Sequence, residues 1–315
     1  MQSESPKTIF KYQPINSQTM IGLLNDQLYF SDPGHFNDPF ECKPALIIDS
    51  KKSTLQKILA HLVSERVKKE TLQALDNANV KGEKAAQHSM QTGKNAATEI
   101  IQDLQYSANN PFWEIPPEEA ELHLLSNTIR KELLQRYDRG ICCFTDLFDH
   151  PLMWSHYANQ HQGICVGYTL DRQPEPSIFP VQYGGDRTIK SSLIEDALIK
   201  KDPQAQHYLD QQILFRKAPE WHYEKEWRLL GPRGRHFSTL KLSEIIFGLR
   251  CSMSMKYTFF SLLENRSPKI DFYEMIENQK SFDLNRQELD TTDFHNFPHV
   301  ARSATEVFGP PKPPS

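Results

Sequence analysis

Apolar positions along the chain fall into short strand-like runs and longer stretches with helical spacing. Residues 8–13 (TIFKYQ) and 27–31 (QLYFS) predict two strands, and Ser17 is a suitable N-cap for a short helix between them. Two further apolar runs, at residues 140–145 and 163–168, flank a crowded aromatic and polar turn. We expect a strand–helix–strand unit there, in which the helix covers a cleft.

The segment between the second and third predicted strands follows a helical period instead. Apolar residues recur at helical spacing between residues 55 and 63 and again between residues 122 and 134. Residues 77–110 are rich in Ala, Asn, Gln and Lys and hold few large apolar residues, which predicts a marginal helix or a mobile connector. We interpret residues 45–138 as a helical insertion within a single α+β domain that spans residues 8–290.

The second half of the chain is predicted to combine strands and helices. The expected elements are strands at residues 178–183, 243–248, 269–273 and the end of 220–231, and helices within 191–218 and 252–266. Residues 291–315 show little periodicity and end in GPPKPPS, so this tail is predicted to be extended or disordered. This order of elements fits an α+β fold with a mixed sheet.

Composition excludes several classes of protein. The chain has 36 basic and 40 acidic residues, a net charge of −4, so no overall attraction to nucleic acid or membrane is expected. No stretch approaches the roughly 20 apolar residues of a membrane span. The N-terminal sequence lacks the features of a secretory signal, and the five cysteines form no CxxC pair. We therefore expect a cytoplasmic protein with reduced thiols. The absence of GxGxxG and GxxxxGK[ST] argues against Rossmann and P-loop proteins.

Two acidic residues near the end of the chain are candidates for catalysis. Glu224 and Glu226 lie two positions apart in YEKEW, and in a strand such residues share a face, together with Arg228. Paired carboxylates can stabilise a cationic transition state or polarise a sugar hydroxyl. The alternative is a solvated face, or one neutralised by Arg228.

The turn after residue 145 carries candidate ligand-binding residues. Ser155, His156 and Tyr157 are polar groups beside Trp154, which lies on the same helical side as Tyr157 and could offer a stacking surface for a planar ring. The alternative is that both rings pack in the core. A Ser-His-acid triad is not supported, because adjacent Ser155 and His156 would point apart and no GxSxG elbow is present.

Other polar residues leave metal and ligand binding open. The spacing of the histidines in the central turn does not fit a helical metal site, so no metal is predicted from them. Glu41, Asp146 and Glu224 could nevertheless converge on a divalent ion, as in nucleases. Asn37, in the FNDPFE loop, either caps its own backbone or contacts a ligand. On the first strand, Lys11 and Tyr12 face opposite ways, so at most one of them lines the cleft.

Five blocks of sequence, in order, carry a resemblance to a known family. They are KY (11–12), LYFSDPGHFNDPFE (28–41), CFTDLFDHPLMWSHYANQHQGICVGY (143–168), EWHYEKEWRLL (220–230) and EIIFGLR (244–250). Together they resemble a widespread bacterial family of unknown function, over residues 8–290 apart from the insertion. This resemblance implies no activity.

The chain also resembles ADP-ribosyltransferases. Those enzymes use a first-strand His or Arg, a middle strand and helix with Ser or Tyr, and a late-strand Glu that is often part of an ExE motif. Here Lys11–Tyr12 come first, Phe144–Thr145 lead to Ser155 and Tyr157, and ExE is present at residues 224–226. The first position departs from the pattern, because Lys or Tyr stands where those enzymes have His or Arg.

This second resemblance implies a fold and a reaction. The fold would be a mixed, mostly antiparallel split sheet, and NAD would be the substrate that donates ADP-ribose to a protein or nucleic acid in a toxin or phage-defence setting. Glu226 would hydrogen-bond the nicotinamide ribose, and Glu224 would complete the catalytic pair. The expected NAD-binding residues are Lys11 or Tyr12 on the adenosine side, Ser155 at the ribose and Tyr157 stacked on nicotinamide, with Asn37 and His156 as further candidates.

Two alternatives from other functional classes remain open at this point. One is a metal-dependent nuclease or phosphodiesterase built from Glu41, Asp146 and Glu224. The other is a non-enzymatic binding or sensor module, for which Trp154 and the FNDPFE loop would matter and the two glutamates would not.

Overall fold

The computed structural model of the chain describes residues 6–297 and 303–309. Within them, a large mixed and mostly antiparallel sheet is combined with helices, which confirms the predicted α+β class. The strands are β1 (Thr8–Gln13), β2 (Gln27–Phe30), β3 (Ala45–Ile47), β4 (Gly140–Thr145), β5 (Ile164–Thr169), β6 (Ile178–Pro180), β7 (Gln182–Tyr183), β8 (Thr188–Lys190), β9 (Arg216–Lys217), β10 (Glu226–Gly231), β11 (Gly234–Phe237), β12 (Lys241–Phe247), β13 (Asp271–Glu277) and β14 (Leu284–Glu288).

Along the chain, the helices, singly or in groups, alternate with single strands or groups of strands. They are α1 (Ser17–Leu24), α2 (Lys52–Asn77), α3 (Glu83–Ala108), α4 (Pro117–Arg136), α5 (Pro151–Tyr157), α6 (Ser191–Ile194), α7 (Pro203–Leu214), α8 (Met253–Leu263) and α9 (Ala304–Phe308). Short 3-10 helices span Pro33–His35, Pro219–Glu224 and Thr292–Asn296, and a π-helical turn, Glu195–Ile199, follows α6. No helix of the described part is long and apolar enough to cross a membrane.

The main sheet has the strand order β14-β13-β12-β5-β1-β4-β10-β6. β1 pairs with β5 at six positions but with β4 only at Phe10↔Thr145, so the sheet splits beyond that pair. Lys11 extends into the split, where its ammonium donates to the Cys143 carbonyl oxygen at 3.1 Å. A side chain therefore replaces the backbone donor that a continuous ladder would supply.

One face of the sheet is continuously apolar. Ile9, Phe144, Val166 and Ile245 belong to one buried cluster on this face, and α1 and α8 cover it. Because both faces of β4 and β5 are covered, the sequences of these two strands are almost wholly apolar rather than alternating.

The other face is divided. Near β4, Ile141 packs with α2, α4 and α7 in one apolar cluster. Beneath α5, Phe10 and Tyr12 pack with Trp154 in another. Between the two clusters lie five buried charged residues, which we call the charged seam: Glu41, Lys217, Glu224, Glu226 and Arg228.

The helix α3 decides between the two predictions for residues 77–110, a marginal helix or a mobile connector. α3 is a continuous helix of 26 residues, not a mobile connector. Its buried positions are small, and a Cβ added to Gly93 would lie 2.5 Å from the Ser64 carbonyl oxygen. At Gly93, α3 is therefore held by close backbone approach to α2, while Ile100, Ile101 and Leu104 add partly buried apolar contacts.

The tail also differs from the prediction of an extended or disordered segment at residues 291–315. Within the described part it contains a 3-10 helix, whose Phe294 is buried against Tyr257 and Phe260, and the short helix α9. Residues 298–302 and 310–315 lie outside the described residues.

Candidate functional site

The charged seam is assembled from three separate parts of the chain. Glu41 ends the FNDPFE loop, Lys217 ends the two-residue strand β9, and Glu226 and Arg228 lie on one face of β10. Glu224 is the last residue of the 3-10 helix before β10. The prediction that Glu224 and Glu226 share a strand is wrong, because Lys225 between them adopts a left-handed conformation with φ 40°.

The Lys217 ammonium lies among all three carboxylates. Its Nζ is 2.5 Å from Glu224 Oε2, 3.1 Å from Glu226 Oε2 and 3.5 Å from Glu41 Oε2. Only 4% of the Lys217 side chain is exposed. A desolvated ammonium in this position fixes the separation of the two predicted catalytic carboxylates.

Arg228 is the second cation and is fully buried. It binds Glu226 through two bonds, Nε to Oε1 at 2.8 Å and a terminal nitrogen to Oε2 at 3.2 Å. It also contacts Glu41 and donates to the Leu214 carbonyl oxygen at 2.5 Å. This planar fork joins β10, the FNDPFE loop and the end of α7.

These contacts perturb the acidity of the carboxyls in opposite directions. Burial alone would raise the pKa of Glu226, but Arg228 and Lys217 lower it to about 2. For Glu41, burial outweighs the attraction of Arg228, and its pKa is raised above the ordinary value. On acidification Glu41 therefore takes up a proton before Glu226 does.

Tyr157 connects the seam to the surface. Its hydroxyl donates to Glu224 Oε1 at 2.6 Å and accepts from the exposed amide of Asn37 at 3.1 Å. Burial, followed by the bond to Glu224, raises the pKa of Tyr157. Four residues predicted from sequence are thus in one constellation: Asn37, Tyr157, Glu224 and Glu226.

The first-strand candidates lie elsewhere. Lys11 points to the continuously apolar face, away from Glu226, and its ammonium is engaged by Cys143. Tyr12 is on the same side as Glu226 but is buried edge-on against Trp154, with ring centroids 5.1 Å apart. Its hydroxyl is buried and has no hydrogen-bond partner among the described residues. Neither residue is placed to hold the adenosine side of NAD.

Of the candidates on α5, only Tyr157 contacts the charged seam among the described residues. Ser155 donates to the Pro151 carbonyl oxygen at 2.9 Å and lies 3.2 Å from His161 Nε2, and no contact with the seam is found for it. His156 is exposed, beside the Tyr157 ring. Trp154 is fully buried, so the core alternative holds for this ring and it offers no stacking surface.

Sequence reasoning did not identify Lys217, the residue that links the carboxylates. Its partners Glu224 and Glu226 follow it by seven and nine residues, and the three residues lie in three different elements. The Tyr183 hydroxyl, which accepts from the Glu226 backbone N–H at 2.7 Å, was not predicted either. No local pattern marks these residues, because only the tertiary fold brings them together.

A metal centre is not supported. In the described part, no three His, Cys, Asp or Glu residues are arranged to hold an ion. Glu41 and Glu224 do approach each other, but they enclose an ammonium, and Asp146 is exposed.

Comparison with known proteins gives one match. Residues 153–229 match the model of a family described as "Protein of unknown function (DUF2971)". The matched segment runs from α5 to β10 and includes Tyr157 and the whole charged seam except Glu41. No curated protein and no solved structure matches the chain.

Proposed function

We propose that the chain is an ADP-ribosyltransferase-like protein that transfers ADP-ribose from NAD to a macromolecular target. The observation that carries the proposal is the order of three strands. The enzymes that the sequence resembles take their functional residues from a first strand, a middle strand with its helix, and a late strand. Here β1, β4 and β10 are neighbours, and Phe10, Thr145 and Glu226 align across them.

Glu226 has the charge that this chemistry needs. Its lowered pKa keeps the carboxylate ionised at neutral pH. An ionised carboxylate stabilises the positive charge that develops on the ribose when the bond to nicotinamide breaks. The acceptor atom of the target then bonds to the same carbon and releases its proton to solvent.

Tyr157 and Asn37 supply the open side of the proposed site. Tyr157 is half-buried, and its ring stands beside Glu224, so it can pack against a planar ring that approaches the carboxylates. The adenosine side is assigned to no first-strand residue, since Lys11 and Tyr12 are both engaged within the core.

Release of nicotinamide from NAD tests the proposal. The wild-type chain is expected to release nicotinamide, and Glu226→Gln, which keeps the shape of the side chain, should lower the rate by about 100-fold or more. Glu277→Gln is the matched control, because Glu277 is exposed on β13. Equal rates for the wild type and Glu226→Gln, or no NAD binding by the folded wild type, would contradict the proposal.

One observation favours a second candidate, a non-enzymatic binding module. Both carboxylates are paired with cations and nearly inaccessible, as expected for a structural network. On this hypothesis Glu226→Gln leaves partner binding intact, whereas changes in the FNDPFE loop abolish it.

A further inference from the structure

The charged seam is closed in the structure. Glu224 and Glu226 are 3% and 4% exposed, and the Lys217 ammonium lies between them. A hydroxyl group of a ligand has no path to Glu226 while Lys217 is in place. Any ligand that uses this carboxylate therefore requires part of the chain to move.

The segment that holds Lys217 is only lightly attached at its start. β9 has two residues and, among the described strands, pairs only with the two-residue strand β7. The next hydrogen bond joins the Gly184 N–H to the Lys217 carbonyl oxygen at 2.9 Å. Gly184 and Gly185 both have φ near +78°, a conformation that glycine adopts freely, so the backbone here can rearrange once the bond from the Arg216 guanidinium to the Gly184 carbonyl oxygen, 2.5 Å long, is broken.

The segment that carries Lys217 ends at Lys225, whose backbone conformation is unusual. Lys225 has φ 40°, in the left-handed region that non-glycine residues rarely adopt. Between the two ends, Pro219, Glu220 and His222 are exposed, whereas Lys217 and Glu224 point inward. Residues 216–225 thus form a short cover over Glu226.

Movement of this cover would separate the Tyr223 ring from His150, on which it stacks with ring centroids 5.4 Å apart, and would break contacts of the charged seam. Lys217 and Glu224 belong to the same segment and would leave as a pair, 2.5 Å apart. The contacts of Lys217 with Glu226 and Glu41 would be lost, as would the bond from Tyr157 to Glu224. Glu226 would keep its two bonds to Arg228 and remain a paired, oriented carboxylate.

We propose that residues 216–225 are a lid, in which Lys217 is an internal counter-ion that occupies the ligand's place at Glu226 until the lid opens. The proposal rests on the proposed function only in taking NAD as the ligand. Lys217 is a positioning residue in this scheme, because it acts on the reaction through Glu226.

Chemical labelling of Glu226 tests the lid without NAD. The wild type, Lys217→Met and Lys225→Met are treated with a water-soluble carbodiimide and an amine, and labelling of Glu226 is followed by mass spectrometry. Lys217→Met should label at least ten times faster than the wild type. Lys225→Met, which changes an exposed lysine of the same segment, should match the wild type. Equal labelling of all three folded proteins would overturn the proposal.

If Lys217→Met does not fold, hydrogen exchange of the wild type tests whether the lid opens independently of the sheet. The Gly184 amide bonds to Lys217 of the lid, whereas the Val181 amide, three residues earlier, bonds to Glu226 of β10 at 2.9 Å. After correction for intrinsic rates, Gly184 should exchange at least 100-fold faster than Val181. Equal exchange of the two amides would show that the lid opens only with the sheet, and would overturn the proposal.

Nicotinamide release from the same proteins separates the two proposals. Faster labelling of Lys217→Met without NAD turnover in any variant would retain the lid and reject the transferase. Turnover by the wild type together with unchanged labelling and equal exchange would retain the transferase and reject the lid.

Discussion

The two faces of the central sheet differ in how they are packed. On one face, Ile9, Phe144 and Ile245 belong to a single apolar cluster. On the other face, two apolar clusters are separated by five buried charged residues, although both faces use the same strands. Apolar packing was thus available on both faces, and only one of them uses it throughout.

The difference teaches that stability alone does not explain the charged seam. Well-packed apolar residues in place of a buried ion pair often leave a protein equally or more stable, whereas loss of one partner is strongly destabilising. Buried ionisable groups with perturbed pKa values are common at functional sites. The seam is therefore where we locate the function.

The largest effect is expected for Arg228→Met. This change leaves Glu226 and Glu41 without their shared cation, and we expect the free energy of unfolding to fall by about 3–5 kcal/mol. Denaturant unfolding measures it. The control is Arg136→Met, since Arg136 is exposed and forms no ion pair with the described residues; it should change stability by less than about 0.5 kcal/mol. A loss below about 1 kcal/mol for Arg228→Met would show that the buried charges on the divided face do not depend on one another, and would contradict this account of the two faces.

A second effect is expected in the pH dependence of stability. The pKa of Glu226 is about 2 in the folded state against an ordinary 4.5, so its ionisation stabilises the fold by about 3 kcal/mol above pH 4.5. That contribution is lost as the pH falls from 4.5 toward 2. The gap between the wild type and Glu226→Gln should therefore be widest at neutral pH and narrow in acid.

Glu41 should show the opposite trend. Its folded pKa is raised, so its ionisation disfavours the folded state, and stability is lost as the pH rises through the folded pKa. Relative to the wild type, Glu41→Gln should gain stability with rising pH. Unfolding curves from pH 3 to 8 measure both trends, and parallel curves for Glu41→Gln and Glu226→Gln would contradict the opposite shifts.

A smaller effect is expected at the surface end of the seam. Tyr157→Phe removes the hydroxyl that donates to Glu224, and should lower the free energy of unfolding by about 1–2 kcal/mol, since the bond is charge-assisted but half-buried. Tyr208→Phe, at an exposed hydroxyl, should have no effect. Equal values for the two variants would mean that Tyr157 is not part of the seam.

The smallest effect concerns the helices that cover the divided face. Ala in place of Gly normally stabilises a helix interior by about 1 kcal/mol. At Gly93 the close Ser64 carbonyl oxygen should reverse the sign and give a net loss of about 1 kcal/mol, because overpacking costs about 1–3 kcal/mol. Glu99→Ala, at an exposed position of the same helix, is the control. A gain in stability for Gly93→Ala would show that α2 and α3 do not approach so closely.

Much of the fold could be predicted from the sequence, because it follows from local periodicity. β1 has the predicted bounds, and the apolar residues from Leu55 to Val63 and from Leu125 to Leu133 do lie on buried faces of α2 and α4. For residues 77–110 the sequence left a marginal helix and a mobile connector as alternatives, because Gly93 and its small neighbours pack by close approach and large apolar residues are few.

The candidate site was predictable only in part. Strand alternation correctly placed Glu226 and Arg228 on one face, since both belong to β10. The same rule was wrong for Glu224, because the left-handed Lys225 turns the chain before the strand begins. Lys217 and Glu41 join the seam through contacts between distant parts of the chain, and no spacing rule reports those.

The most direct test of the central claim, that the charged seam is one coupled unit built around Glu226, is a double-mutant cycle for Glu226→Gln and Arg228→Met. Unfolding free energies of the wild type, both single variants and the double variant give the coupling. We predict that the double variant is more stable than the sum of the single losses implies, by about 1.5–3 kcal/mol, since neutral Gln no longer needs the cation. Losses that add to within about 0.5 kcal/mol would contradict the claim.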